Sequence, residues 1–304
     1  MRTFGAFCVG LLSLVSAAVA PAAEFRSYHI GNSLTGQLIN AGKLASFSTG
    51  SGRQHTTGYH IRSSAPLNYM WANPGDNTGV DPSTLNHALP EQQWNAVTLQ
   101  PYVTSFASIA STLGTDTQVI NDVMALTRTN PLNSGTRFFI YAAWPAADLG
   151  TYETAWSRPA TANNSQPTML ARAYFDKLYQ AVSAQHPDVR MIPAGETLFR
   201  VDQRIRSGEI PGLTSISQLY GDTYHLNDLG CHVIAAAAYA TMFSASPVGQ
   251  PYSSATSPAS PETIRALQET AWGVVTSHSY TGVPEPTSVA GILGGSMLLL
   301  RRRP

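Results

Sequence analysis

Cysteine is almost absent from this chain. It occurs 2 times in 304 residues, as Cys8 and Cys231. Cys8 sits in an apolar leader that export would remove, so the mature chain holds Cys231 alone and forms no intrachain disulfide, even in an oxidising compartment. An excess of either charge is also missing. Lysine plus arginine and aspartate plus glutamate each number 18, for a formal net charge of +0. Arg2, Arg301, Arg302, Arg303 and Glu285 lie in the terminal segments, and without them a slight acidic excess remains. A phosphate-binding footprint is therefore lacking, and nucleic acid is not an expected partner. His55 and His60 flank Gly58, but no cysteine or carboxylate cluster accompanies them, which argues against a zinc site. No cofactor is expected. Neither an internal repeat nor a second domain is expected.

The two ends differ from the body. Residues 1–23 begin with a basic Arg2, continue through an apolar run from Phe4 to about Val19, and close on Ala20, Ala22 and Ala23. Such an order predicts a signal peptide and processing by a signal peptidase. At the other end, Val283-Pro284-Glu285-Pro286 leads into an apolar stretch from Ser288 to Leu300 and then Arg301-Arg302-Arg303. The stretch is shorter than the roughly 20 residues of a spanning helix. Residues 283–304 resemble the PEP-CTERM sorting tag of Gram-negative bacteria. The resemblance implies export, transient membrane contact through this segment, and recognition by an exosortase-type enzyme. The expected location is the periplasm, cell surface or extracellular matrix, in an exopolysaccharide setting.

Residues 24–280 are long enough for one α/β domain with a sizeable core. Phe25 to Ile30 alternates as a strand and meets a turn at Gly31-Asn32-Ser33, with a helix expected from about Leu34 to Ser46. Arg53 to Thr57 reads as a short strand ending at Gly58. Residues 72–90 read as a loop or broken helix. Trp94 to Leu99 reads as a strand ending at Gln100-Pro101, and Arg137 to Ala142 as a buried strand followed by Trp144. Helical spacing marks 117–128, a segment from Pro167 with Leu170, Tyr174, Leu178 and Val182 on one face, and a last helix from Pro261. Val189 to Pro193 reads as a strand closed by Gly195. Asn227 is placed to cap a helix running to about Phe243. Strands alternating with helices predict a mainly parallel sheet in a three-layer α/β/α sandwich. In such folds the site lies at the carboxyl ends of the strands, which selects Ser33, Gly58, Gln100 and Trp144.

An alcohol nucleophile needs a base, a group that orients the base, and donors for the oxyanion. Ser33 stands at a strand-to-helix turn, where amides at the helix start can face developing negative charge. Far along the chain, Asp222-Thr223-Tyr224-His225-Leu226-Asn227 holds an acid and a base three residues apart. His225 fits the base, and Asp222 the group that fixes its tautomer.

These segments together resemble the SGNH (GDSL-like) hydrolase family over most of residues 25–243, carried by four short blocks. Gly31-Asn32-Ser33-Leu34 is similar to the block of the nucleophile, and Asp222-x-x-His225 to the block of the acid and base. Gly58 matches the block whose glycine amide donates to the oxyanion. Leu99-Gln100-Pro101 falls where the family places a side-chain amide donor. The resemblance implies a flavodoxin-like sheet, a triad of Ser33, Asp222 and His225, and an oxyanion hole of Ser33, Gly58 and Gln100. Two positions depart from it: Asn32 replaces the usual Asp, and Gln100 the usual Asn.

Tyr102 and Trp144 fall just past strand ends, where aromatic faces either line a sugar or acyl pocket or pack against the core. Cys231 reads as a small core hydrophobe, and His232 as a packing or surface residue. The expected activity is ester hydrolysis through an acyl-enzyme on Ser33, with O-acetylated polysaccharide as a candidate substrate. Two alternatives stay open: a polysaccharide O-acyltransferase using the same triad, and a non-catalytic surface protein that binds matrix polysaccharide.

Overall fold

The structure, a computed structural model, describes residues 24–39, 43–77, 84–102, 109–147, 152–158 and 171–285. Residues 1–23, Pro167, Leu170 and the chain beyond Glu285 lie outside the described residues. Five strands form one sheet: β1 (Phe25–Gly31), β2 (His55–Ile61), β3 (Ala96–Leu99), β4 (Arg137–Tyr141) and β5 (Arg190–Ile192). Among the described residues, the helices up to β4 are α1 (Ser33–Ile39), α2 (Lys43–Gly50), α3 (Leu67–Ala72), α4 (Leu85–Glu91) and α5 (Ile109–Arg128). After β4 come α6 (Tyr152–Trp156), α7 (Arg172–Ser183), α8 (Ala194–Arg206), α9 (Asp228–Phe243) and α10 (Pro261–Ser277).

The strand order is β2-β1-β3-β4-β5, and every pairing is parallel. This is the flavodoxin-like order, in which the chain leaves β1 in one direction for β2 and returns past it to β3. The reversal opens a crevice beyond the carboxyl ends of β1 and β3. Helices α1, α2, α8, α9 and α10 pack together as one layer, and α3, α4, α5 and α7 as the other. Both faces of the sheet are thus covered, which explains why β3 is buried at all four positions and β4 at four of five.

Helix α9 shows what being central requires. Every residue from Leu229 to Met242 is buried, so the helix is apolar all round rather than amphipathic. Four consecutive alanines, Ala235 to Ala238, let α2, α8 and α10 approach it. Its start is fixed by Asn227, whose side chain accepts from the amides of Leu229 and Gly230. Ser260 caps α10 in the same way by accepting from Thr263 N.

Three elements differ from the sequence expectation. The helix after Ser33 comes as two pieces, α1 and α2. Strand β2 runs through Gly58 to Ile61, because Tyr59 and Ile61 are good strand formers and a glycine inside a strand weakens it without ending it. Helix α8 was hidden behind Pro193 and Gly195. Proline is tolerated at the start of a helix, and Leu198, Val201 and Ile205 then bury one face. No helix among the described residues is long and apolar enough to cross a membrane.

Candidate active site

The turn after β1 is built by close approach. A Cβ on Gly31 would lie 2.0 Å from Thr35 Oγ1 and 2.8 Å from Gln100 Cβ, so only glycine fits there. That gap admits the Gln100 carboxamide, whose Oε1 accepts from Asn32 N at 3.1 Å and from Thr35 Oγ1 at 3.0 Å. Asn32 Oδ1 accepts from Leu34 N at 3.0 Å, and Asn32 O from Gly36 N at 3.1 Å. These bonds define the first turn of α1 and place Ser33 as its first residue.

The acid and base share one short loop. Asp222 Oδ1 accepts from the backbone amides of Tyr224 at 2.8 Å and His225 at 2.7 Å, while Gly221 N donates to His225 O at 2.8 Å. His225 Nδ1 then meets Asp222 Oδ2 at 2.8 Å. The carboxyl is held down to about 2 by the His225 backbone amide, then by the His225 ring and the Tyr224 amide. It therefore stays ionised and accepts a hydrogen bond from Nδ1–H, which leaves Nε2 as an acceptor in the neutral ring. Ser33 Oγ lies 2.9 Å from that Nε2. The pair bridges 192 residues of chain.

Two tethers hold the loop against the turn. Gln37 of α1 donates from Nε2 to Leu226 O at 2.7 Å and accepts Leu226 N at Oε1 at 3.0 Å. From the end of β4, Trp144 Nε1 donates to Tyr224 O at 3.0 Å and Ala147 N to Thr223 O at 2.8 Å. Ser33 and His225 open into a cavity of about 210 Å³, walled by Tyr102, Trp144 and Tyr224 and floored by Asn32. Ser64 joins the lining from the loop after β2 with φ of 58°, a left-handed conformation uncommon for residues other than glycine. A larger depression of about 740 Å³ between α8 and α10 is lined by charged residues such as Arg204 and Glu209. Those two pair with each other at 3.0 Å, and no nucleophile–base pair lies there.

Of the residues singled out in the sequence, Ser33, Asp222, His225, Tyr102 and Trp144 come together. Two oxyanion candidates do not. Gly58 lies in the middle of β2, paired in register with Tyr28, three residues short of the strand end. Gln100 is fully buried, and its amide is spent on the turn: Oε1 holds Asn32 and Thr35, while Nε2 donates to Pro101 O at 3.1 Å. It braces the nucleophile's turn from beneath instead of facing the cavity. Cys231 is buried, with its thiol pushed up to about 12 by desolvation. His232 is buried against Gln268 and drawn down to about 4 by the same cause. Gln37, Ser64 and Tyr224 were not singled out in the sequence. Its place next to His225 was the one available hint for Tyr224, whereas Gln37 and Ser64 carry no local pattern.

No protein-family model matches the chain, and neither does any curated protein. Among solved structures it is similar to a DUF4886 family protein from Bacteroides uniformis. The likeness has a TM-score of 0.58 and 16% identity, covering 83% of this chain and 95% of that one. At that identity the likeness speaks for the shared fold. A further match, to a super-repressor mutant of Gal80p from Saccharomyces cerevisiae, has a TM-score of 0.27 and 13% identity, covering 62% of this chain and 40% of that one. It carries no argument.

Proposed function

We propose that this chain is an exported serine ester hydrolase of SGNH type. One observation carries the reading: an unbroken hydrogen-bond chain from Ser33 through His225 to Asp222, ending at an open cavity. Ser33 Oγ attacks the ester carbonyl while His225 Nε2 takes its proton. The alkoxy bond then breaks, and His225 returns the proton to the leaving alcohol. Water attacks the acyl-enzyme by the same route. The Ser33 amide, first in α1 and so without an intrahelical partner, is placed to donate to the oxyanion.

The cavity is smaller than a typical drug-sized pocket, which favours a short acyl group. Tyr102 and Tyr224 at its wall, half-buried and exposed, suit the apolar face of a sugar ring, as in an O-acetylated polysaccharide, with the buried Trp144 behind them. The leader and the PEP-CTERM-like tag add the exported setting. The test is hydrolysis of a small acetyl ester, together with labelling by a fluorophosphonate. Wild type should do both and Ser33→Ala neither. Equal rates in the two proteins would remove Ser33 from the mechanism.

A further inference from the structure

The residue before the nucleophile holds an unused donor. Asn32 is 1% exposed, and its Nδ2 has no hydrogen-bond partner among the described residues. Leaving such a group buried and unpaired is costly, so it calls for a reason. Its orientation is fixed. Leu34 N donates to Oδ1 at 3.0 Å, and a flipped amide would set its own N–H against that donor. The nitrogen therefore takes the remaining direction in the carboxamide plane, and Asn32 lines the cavity beside Ser33. The other side-chain amide nearby, that of Gln100, is spent on Asn32 N, Thr35 Oγ1 and Pro101 O.

Resting on the hydrolase reading, we propose that Asn32 Nδ2 is the side-chain donor of the oxyanion site, acting beside the Ser33 amide. As the Ser33 Oγ–carbon bond forms, the carbonyl π electrons move onto oxygen and the hydroxyl proton moves to His225 Nε2. Asn32 forms no covalent bond. Its N–H bonds to the new oxyanion, which forms in the cavity that Asn32 and Ser33 line. The Asn32 and Gln100 departures become one arrangement: the amide of Gln100 turned inward to brace the turn, and the donor moved one position ahead of the nucleophile.

Asn32→Asp and Asn32→Ser test this. Both keep an oxygen to accept Leu34 N, so the turn is retained, and the neutral serine separates loss of a donor from gain of a charge. The expected result is a fall in kcat on the order of 100- to 1000-fold for both. KM should change less than about threefold and the melting temperature little, because the missing bond is made in the transition state. Wild-type kcat in either variant overturns the assignment, as does a loss confined to KM. A wild-type protein inert to esters and to fluorophosphonate overturns the hydrolase reading itself. An active wild type with an unaffected Asn32→Ser overturns only the role of Asn32.

Discussion

Among the described residues several serine–histidine contacts have nearly the same length, and the one at the cavity differs from those around His29 in what stands behind the ring. Ser33 Oγ and His225 Nε2 are 2.9 Å apart at the cavity. Ser27 Oγ and His29 Nε2 are 2.7 Å apart inside β1, both fully buried. The difference lies behind the histidine. His225 backs onto an ionised carboxylate. His29 backs onto the neutral hydroxyl of Thr98 at 2.8 Å, and burial together with nearby His55 draws its ring down to about 3. A ring so reluctant to take a proton cannot serve as a base at neutral pH. The buried pair continues instead from Ser27 to His55 at 2.8 Å and on to Ser48 at 3.0 Å. It is a cross-brace joining β1, β2, β3 and α2. Proximity of a hydroxyl and an imidazole is therefore not what marks a site. The counter-charge and the opening are.

The comparison breaks most directly at the serines. Ser33→Ala should cost more than about ten-thousand-fold in kcat, while Ser27→Ala should leave the rate within about twofold and lower the unfolding midpoint in urea. If both variants lost activity alike, the distinction drawn above would fall.

Next comes the counter-charge. Asp222→Asn should reduce kcat about a thousandfold, less than for a buried triad aspartate because water can partly replace this exposed one. Since the Asp222 carboxyl is held at about 2, its own protonation should add no step to a kcat/KM–pH profile above about pH 4.

The third test sharpens the buried side. His29 near 3, His55 near 4 and His232 near 4 are all depressed by burial. The unfolded chain therefore takes up protons that the folded one refuses. Their contribution is complete above about pH 6.5 and is lost as pH falls toward 4, at roughly 2 kcal/mol per histidine by pH 5. Asp116 works in the opposite direction. Burial raises its carboxyl to about 7 despite a hydrogen bond from Tyr174, so acidification stabilises it. Asp116→Asn should make the fall in unfolding free energy between pH 7 and pH 5 steeper by about 2 kcal/mol. An unchanged slope would mean that Asp116 is already ionised in the fold.

The smallest expected effect is at Gln37. Gln37→Ala removes both bonds to the backbone of Leu226 and should lower kcat about tenfold by loosening the base against the nucleophile. Hydrogen exchange at the Leu226 amide should quicken in parallel.

How much of this the sequence revealed follows from how local each feature is. The sheet was readable because β1 and β4 are continuous β-prone runs, and the order of elements allows few topologies. Ser33 and the Asp222–His225 loop stood out because each is a contiguous pattern with its own chemistry. Gly58 misled because a glycine in a run of strand formers looks like an ending. Gln100 misled because a carboxamide at a strand end is equally suited to face a ligand or to brace a turn, and only the space above Gly31 decides between them. Gln37 and Ser64 act through partners remote in sequence, which no local pattern announces. The orphaned nitrogen of Asn32 is visible only after every other partner around it has been assigned.

The 192-residue span between Ser33 and His225 also sets a schedule. Ser33 opens α1 directly after β1 and is synthesised early, whereas His225 follows all five strands of the sheet. At synthesis rates of about 5–20 residues per second, a nascent chain carries Ser33 for on the order of ten seconds or more before anything can deprotonate it. On the proposed function, ester cleavage would be a property acquired late in assembly, and a chain truncated anywhere before the Asp222 loop would be silent however well its first strands had paired.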